Sequence, residues 1–356
     1  MKVAILINSD MGLYKFRREL IETLFERKVE VVLIGPKGEY AEKLSQMGCR
    51  QVDLELSRHG KNPFSELKLL RAYKKILKKE KPDFVLTYTI KPNIYGGMAA
   101  RSLKIPFIAN VTGLGDAIEN GGLLQKITLF LYKKGLKGAK KVFFQNKANL
   151  DFFIRKKICK ANYELLPGSG VNVKRFSYIE YPQNEQGRIL FIGRITKDKG
   201  VFELASAIER INAKNKNIFF DIVGAVDGQI NPFEGVTNCE YHGSQKDVRP
   251  FIKNASAVIL PSYHEGMANV LLEAAACGRP VLASKIPGCQ ETFDEGETGY
   301  GFAPKSIDAI CEAIDKFVSL SAGQKELMGI KARNKIEKEF NRQIVVDKYL
   351  EEMNLN

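Results

Sequence analysis

The sequence predicts an α/β protein of two doubly wound domains, each a parallel sheet covered by helices on both faces. Three observations carry that expectation. The chain has 356 residues, and at roughly 150 residues per domain that is two domains. Short apolar runs alternate with amphipathic stretches along the whole length, and the runs are apolar throughout, as strands buried on both faces are. The series occurs twice, with a break between. Hydrophobic residues make up 44% and charged residues 27%, so both halves can bury ordinary cores. A disordered chain, a fibre and a small disulfide scaffold are excluded.

The first half predicts strands at 2–7, 29–35, 50–54, 83–88, 106–111 and 141–145, with helices such as 13–27, 64–80 and 122–137 between them. The break lies near 167–186. There Pro167-Gly168-Ser169-Gly170 is a breaker cluster, and Tyr181-Pro182-Gln183-Asn184-Glu185-Gln186-Gly187 is polar without a period. The second half predicts strands at 188–192, 217–223, 238–242, 257–261 and 280–283, with helices near 200–213, 246–253, 268–277 and 305–319. The tail from 323 on is helical and charged. The expected division is 1–170 and 171–340, with 341–356 a terminal helix packing back on the first domain.

Composition narrows the function. Cys49, Cys159, Cys239, Cys277, Cys289 and Cys311 form no C-x-x-C pair, which argues against a zinc ribbon and fits reduced cytosolic thiols. No apolar run reaches about 18 residues, so no membrane-spanning helix is expected. The opening run from Met1 to Ile7 is too short for a signal-peptide core and reads as a strand. The net charge is +14, and it is unevenly placed: positions 1–180 hold 34 basic and 17 acidic residues, while the remainder hold 21 and 24. A basic first half suggests a polyanionic surface as partner, nucleic acid or an anionic membrane.

Ligands of open parallel sheets sit beyond the carboxyl ends of the strands, and two facing domains of this kind make a cleft. After strand 188–192 comes Gly193-Arg194-Ile195-Thr196-Lys197-Asp198-Lys199-Gly200. Gly193 permits a tight exit, Arg194 offers a fork for phosphate oxygens, and Lys199 adds a point charge at a helix start. That is a diphosphate clamp or, equally, a solvated basic loop. After strand 257–261, Gly266, Met267, Ala268 and Asn269 are expected to open a helix with N–H groups aimed into the cleft. Glu265 stands just before it. Glu273 stands on the otherwise apolar stretch Val270–Ala276 and needs a partner there, either a ribose diol or a neighbouring cation.

Glu265 and Glu273 with seven residues between, followed by Gly278-Arg279-Pro280-Val281-Leu282-Ala283-Ser284, resemble the E-x7-E signature of family-four retaining glycosyltransferases. Gly193-Arg194 with Lys199-Gly200 is similar to that family's donor-diphosphate motif. Phe16-Arg17 with Leu20-Ile21, Thr89-Ile90-Lys91-Pro92-Asn93-Ile94-Tyr95-Gly96, Val111-Thr112-Gly113-Leu114-Gly115 and Pro167-Gly168-Ser169-Gly170-Val171 resemble bacterial members that extend undecaprenyl-diphosphate-linked sugars in capsule, O-antigen or N-glycan assembly. The resemblance implies the GT-B fold, two Rossmann-like domains around a deep cleft. It implies a nucleotide sugar as donor, with UDP as carrier, and a lipid-linked saccharide as acceptor.

By the same resemblance, Arg194 and Lys199 hold the donor diphosphate and neutralise the leaving group. Glu273 takes the ribose, and Glu265 with the backbone of Gly266 to Asn269 takes the sugar hydroxyls. Positioned cations can replace a metal in this task. No Asp-x-Asp signature is present, and Asp227 and Asp247 are isolated in sequence, so a metal-independent enzyme without cofactor is expected. Retention is expected by a front-face route. Many members carry a His after the fourth strand; here that segment reads Leu86-Thr87-Tyr88-Thr89-Ile90-Lys91. Lys91 is the substitute candidate for an acceptor or phosphate contact, with a capping or surface lysine as the alternative. Arg17 is a candidate for the acceptor diphosphate or a surface-helix residue. Thr112 and Gly113 begin a loop that backbone and ligand can share, or a plain turn. His264 is as readily structural as catalytic, and His59 and His242 lack evident partners.

Two basic stretches, 67–79 and 123–137, combine lysines with apolar residues and can lie on an anionic membrane, or pack on the sheet with their lysines solvated. The expected location is therefore the cytoplasmic face of the plasma membrane. Two other readings compete. A nucleotide-sugar epimerase of the same fold needs acid and base groups after the first-half strands, which are few. A nucleic-acid-binding protein would need a helix-turn-helix, zinc or RNA-recognition signature, and none is present.

Overall fold

The computed structural model describes residues 1–55, 63–115, 118, 121–159, 162–183, 187–214, 217–228 and 230–355. His59 and linker residues 184–186 lie outside them. The chain forms two units. The first comprises Met1–Ser169 with Gln343–Asn356, the second Gly170–Arg342.

The first unit holds β1 (Lys2–Leu6), β2 (Glu30–Gly35), β3 (Arg50–Asp53), β4 (Phe84–Tyr88), β5 (Phe107–Val111), β6 (Lys141–Phe144) and β7 (Tyr163–Leu165). They form one parallel sheet in the order β3-β2-β1-β4-β5-β6-β7. The helices are α1 (Asp10–Glu26), α2 (Ala41–Gln46), α3 (Pro63–Glu80), α4 (Gly97–Ser102, entered through a π-helical turn at Pro92–Gly96), α5 (Gly122–Gly135) and α6 (Lys147–Arg155). The strands form because their residues are apolar on both faces: β4 and β5 are buried at every position. Ser9 caps α1 by accepting the Gly12 N–H. Leu13, Leu20, Ile21 and Leu24 then face the sheet at helical spacing.

The second unit holds β8 (Gly187–Ile192), β9 (Ile218–Val223), β10 (Cys239–Tyr241), β11 (Ala257–Leu260), β12 (Val281–Ser284) and β13 (Gly299–Phe302), in the order β10-β9-β8-β11-β12-β13 and again parallel. Its helices are α7 (Val201–Lys214), α8 (Arg249–Asn254), α9 (Asn269–Ala276), α10 (Ile307–Val318) and α11 (Ala322–Glu339). A capping box between Ser321 and Gln324 starts α11. The last helix, α12 (Arg342–Met353), packs into the first unit. Val345, Val346, Tyr349, Leu350 and Met353 join the core formed by β1, β2 and α1, and Asn110 Nδ2 donates to the Tyr349 hydroxyl at 2.8 Å.

Two strands lie outside the sequence expectations. β7 has three residues, and β13 reads Gly-Tyr-Gly-Phe, in which two strand-depleted glycines break the apolar run. Both are at sheet edges. Gly299 is required because a Cβ there would come within 2.1 Å of the Val281 carbonyl oxygen.

Arg279 is fully buried and belongs to the scaffold. Its Nε donates to Ile252 O at 3.0 Å, Nη1 to Ile179 O at 2.9 Å, and Nη2 to Glu180 O at 2.8 Å and Lys253 O at 2.9 Å. It ties the segment that enters the second unit to α8. Removing it strands several carbonyls without partners, so Arg279→Ala should cost on the order of 3 kcal/mol, read as a lowered denaturation midpoint. Arg279→Lys, lacking the fork, should restore little of it.

Candidate functional site

In each sheet the chain runs outward in both directions from one pair of strands. In the second unit that pair is β8 and β11, because β9 continues one way and β12 the other. Ligands of doubly wound sheets sit at this switch point, beyond the carboxyl ends. The loops leaving β8 and β11 are the two singled out from sequence.

The structure locks these loops together. Gly200 has φ +66°, and a Cβ there would stand 2.1 Å from the Pro261 carbonyl oxygen. Tyr263 N–H donates to Asp198 O at 2.8 Å, and the Tyr263 hydroxyl donates to Glu203 Oε1 at 2.6 Å. Lys199 Nζ meets Glu265 Oε1 at 2.5 Å, and Ser262 Oγ donates to the same oxygen at 2.8 Å. Both members of the ion pair are mostly buried. Lys199 and Glu265, taken from sequence as separate ligand contacts, are thus brought together as one. The loop after β12 closes the third side: Ala268 N–H donates to Gly288 O at 2.8 Å.

Arg194 is exposed, and its Nη1 pairs with Asp227 Oδ2 at 2.8 Å. Asp227, isolated in sequence, has this partner; Asp247 likewise pairs with Arg249 at 2.6 Å. An exposed pair contributes about 0–1 kcal/mol, so Arg194 can exchange Asp227 for a phosphate at little cost. Beside it, Thr196 Oγ1 is buried without a hydrogen-bond partner, as is Asn269 Oδ1 at the start of α9. Gly193 leaves β8 where a Cβ would crowd the Phe191 ring at 3.1 Å.

Three expectations for this unit need correction. The helix opens at Asn269 and not at Gly266, and the N–H groups of Ala268 and Asn269 are already bonded, to Gly288 O and Met267 O. Met267 and Ala268 are buried, so Gly266 and Asn269 remain the half-exposed members of the segment. His242 does have a partner: it lies 2.8 Å from Asp221 Oδ1 and packs on Phe251. Asp221, Glu240 and His242 are close enough for a cation, but Arg188 already holds Asp221 through Nε at 2.8 Å and Nη2 at 2.6 Å. Glu273 is half-buried on α9.

In the first unit the switch point lies between β1 and β4. Asp10, missed in sequence, knits its rim by accepting the N–H groups of Gly38 at 2.9 Å and Tyr40 at 2.8 Å. Arg17 is 4% exposed, which removes the surface-helix alternative. Its Nη1 donates to Phe16 O at 2.7 Å, its guanidinium lies over the Tyr88 ring at 4.9 Å, and its Nε is buried without a partner. No carboxylate among the described residues pairs with it. Lys91 is partly buried and meets Glu66 Oε1 at 2.6 Å, so it is neither a capping nor a free surface lysine. Burial, with Glu66 beside it, pushes the Tyr95 phenol up. Thr112 and Gly113 are half-buried in the loop after β5. Beneath them a buried chain runs from Thr87 Oγ1 to Asn93 Oδ1 at 2.7 Å and from Asn93 Nδ2 to Asn110 O at 2.8 Å.

Residues 2–146 match the family model "Glycosyl transferase 4-like", and residues 177–338 match "Glycosyl transferases group 1". The chain belongs to these glycosyltransferases. Over 98% of its length and 97% of the relative's, this glycosyltransferase is 29% identical to the N,N'-diacetylbacillosaminyl-diphospho-undecaprenol alpha-1,3-N-acetylgalactosaminyltransferase of Campylobacter jejuni. It is 25% identical to the capsular polysaccharide biosynthesis glycosyltransferase CapM of Staphylococcus aureus, over 92% and 90% of the two chains. In fold it is similar to a glycosyltransferase from Rickettsia africae (TM-score 0.83, 19% identity, 99% and 98% covered). It is also similar to Anabaena HepE in complex with UDP and glucose (TM-score 0.81, 15% identity, 99% of each chain covered). These likenesses show the GT-B fold. Both loops of the second unit fall within the group 1 segment, and Arg17, Lys91, Thr112 and Gly113 fall within the 4-like segment.

The contact between Gly200 and Pro261 gives a direct test. In Gly200→Ala the glycosyltransferase should remain folded with a lower denaturation midpoint. The Lys199–Glu265 pair should separate, and any nucleotide-induced thermal stabilisation should fall to near zero.

Proposed function

We propose that this glycosyltransferase moves a hexose or N-acetylhexosamine from a UDP-sugar to a lipid-diphosphate-linked saccharide, with retention at the anomeric carbon and without a metal. The observation that carries the donor half is the locked pair of loops in the second unit. They present an exchangeable guanidinium at Arg194, an ammonium held by Glu265, and unmet polar atoms at Thr196 and Asn269. Arg194, released from its exposed pair with Asp227, carries the charge that neutralises a leaving diphosphate, and Lys199 donates to it from its pair with Glu265; together they perform the task a divalent ion would otherwise perform. Glu273 takes the ribose diol, and Glu265, Gly266 and Asn269 take the sugar hydroxyls. Retention follows a front-face route in which the leaving phosphate accepts the acceptor's proton.

The acceptor half rests on Arg17. Its guanidinium is buried with one backbone carbonyl, the Tyr88 ring and the hydroxyls of Tyr88 and Tyr349 around it, no carboxylate among the described residues, and Nε unmet. A diphosphate would supply the missing negative charge and an acceptor for Nε. The relatives from Campylobacter and Staphylococcus, named for an undecaprenol diphosphate and for capsule, support a lipid-linked acceptor in surface-polysaccharide assembly. Lys91, Thr112 and Gly113 border the saccharide.

The membrane contact is stronger on one of the two basic helices. In α3, Leu69, Tyr73 and Leu77 are spent on the core, and of its described apolar side chains only Phe64 and Leu67 near its start are exposed among the lysines. In α5, Leu123, Ile127 and Phe130 are 73%, 48% and 59% exposed on one face, with Lys126, Lys133, Lys134 and Lys137 exposed beside them. An apolar stripe bordered by lysines fits an anionic bilayer. No helix among the described residues is long and apolar enough to cross one.

With EDTA present, UDP or one UDP-sugar should raise the denaturation midpoint, and Arg194→Ala should remove the rise; an unchanged rise would reject the clamp. Phe130→Ser with Ile127→Ser should cut sedimentation with phosphatidylglycerol vesicles about tenfold or more, given roughly 1.5–3 kcal/mol per buried apolar side chain, without lowering the midpoint.

A further inference from the structure

Thr89 carries two unfavourable features at once. It has φ +72°, and it alone among the described residues is both β-branched and left-handed; the other non-glycine residues with positive φ are lysines and asparagines. That conformation is a genuine outlier for a β-branched side chain. Its Oγ1 is also buried, with no hydrogen-bond partner. A glycine would relieve both. Strain held in this way is stored where a site needs it, and the reasoning runs from the observed outlier to function.

The place is informative. Thr89 directly follows β4, at the switch point of the first sheet. Its carbonyl accepts the Asn93 N–H at 3.0 Å and so starts the π-helical turn at Pro92–Gly96; π-turns are frequent at functional sites. On one side, Ile90 abuts the turn at Gly115, where a Cβ would come within 3.0 Å of Ile90 Cδ1. On the other, Lys91 is neutralised by Glu66 at 2.6 Å. A hydroxyl beside a neutral Lys–Glu pair suits an uncharged polyol. Arg17, with no carboxylate, suits the anion.

We propose that Thr89 is an acceptor-binding residue whose strained backbone presents its hydroxyl to a hydroxyl group of the acceptor saccharide, separate from the diphosphate held by Arg17. This deepens the acceptor reading given above and rests on it.

The test is steady-state transfer to a farnesyl-diphosphate-linked N-acetylhexosamine from the UDP-sugar that shifts the midpoint. Thr89→Val keeps the branch and deletes the hydroxyl, Thr89→Gly removes strain and hydroxyl together, and Thr89→Ser keeps the hydroxyl. Acceptor KM should rise about tenfold in the Val and Gly variants, the loss expected for one hydrogen bond. The Ser variant should stay within about threefold, and the KM for the UDP-sugar should not move. Thr89→Gly should also melt no lower than the unaltered protein. Unchanged acceptor KM in the Val and Gly variants, or equal damage in the Ser variant, overturns the role of Thr89 alone. An unaltered enzyme that binds UDP-sugar yet transfers nothing to the probe rejects the acceptor reading and this role with it.

Discussion

A parallel sheet forces every connection to travel back over one of its faces, and where the direction of travel reverses, two neighbouring loops part above the strand ends. Each unit has one such point, between β1 and β4 and between β8 and β11. The residues singled out from sequence lie on loops that leave these strands or on the helices and turns beside them. In the second unit the loops touch at Gly200 and Pro261, and this contact sets Lys199 against Glu265. In the first, α1 and the π-helical turn supply Arg17 and Lys91.

Two buried arginines differ in how fully their surroundings satisfy them. Arg279 directs its fork at backbone carbonyls from the linker and α8, leaving little capacity for a ligand; burial alone pulls its pKa down. Arg17 has one backbone carbonyl, the Tyr88 ring, the Tyr349 hydroxyl beside it and an unmet Nε. A satisfied buried guanidinium stabilises a fold, whereas one with an unmet N–H keeps a donor in reserve, which is what the proposed acceptor contact would use. The cysteines have no comparable role. All six are free, and burial raises Cys49, Cys159 and Cys239 to about 12 and Cys277 to about 11, so they behave as small apolar side chains.

Most strands were legible because parallel strands read as continuous apolar runs. β7 and β13 were not, since an edge strand can be short or glycine-rich when its neighbour supplies the pairing. The burial of Arg17 carried a signal that sequence reasoning passed over: it falls four residues after Leu13 and three before Leu20, on the apolar stripe of α1. Other features had none. Lys199 and Glu265 are 66 positions apart, Lys91 and Glu66 are 25 apart, and neither pairing follows from local pattern. Nothing in Tyr88-Thr89-Ile90 announces a left-handed residue. The resemblance found the loops; only the fold showed which side chains are already partnered within them.

The chemistry is tested most directly by one reaction. The enzyme, a UDP-N-acetylhexosamine and a farnesyl-diphosphate-linked saccharide are combined in EDTA, and the product is examined by mass spectrometry and proton NMR. Metal-free, retaining transfer predicts a product one sugar heavier, with the anomeric coupling of the donor preserved. An inverted anomer, or transfer that returns only when a divalent metal is restored, would contradict it.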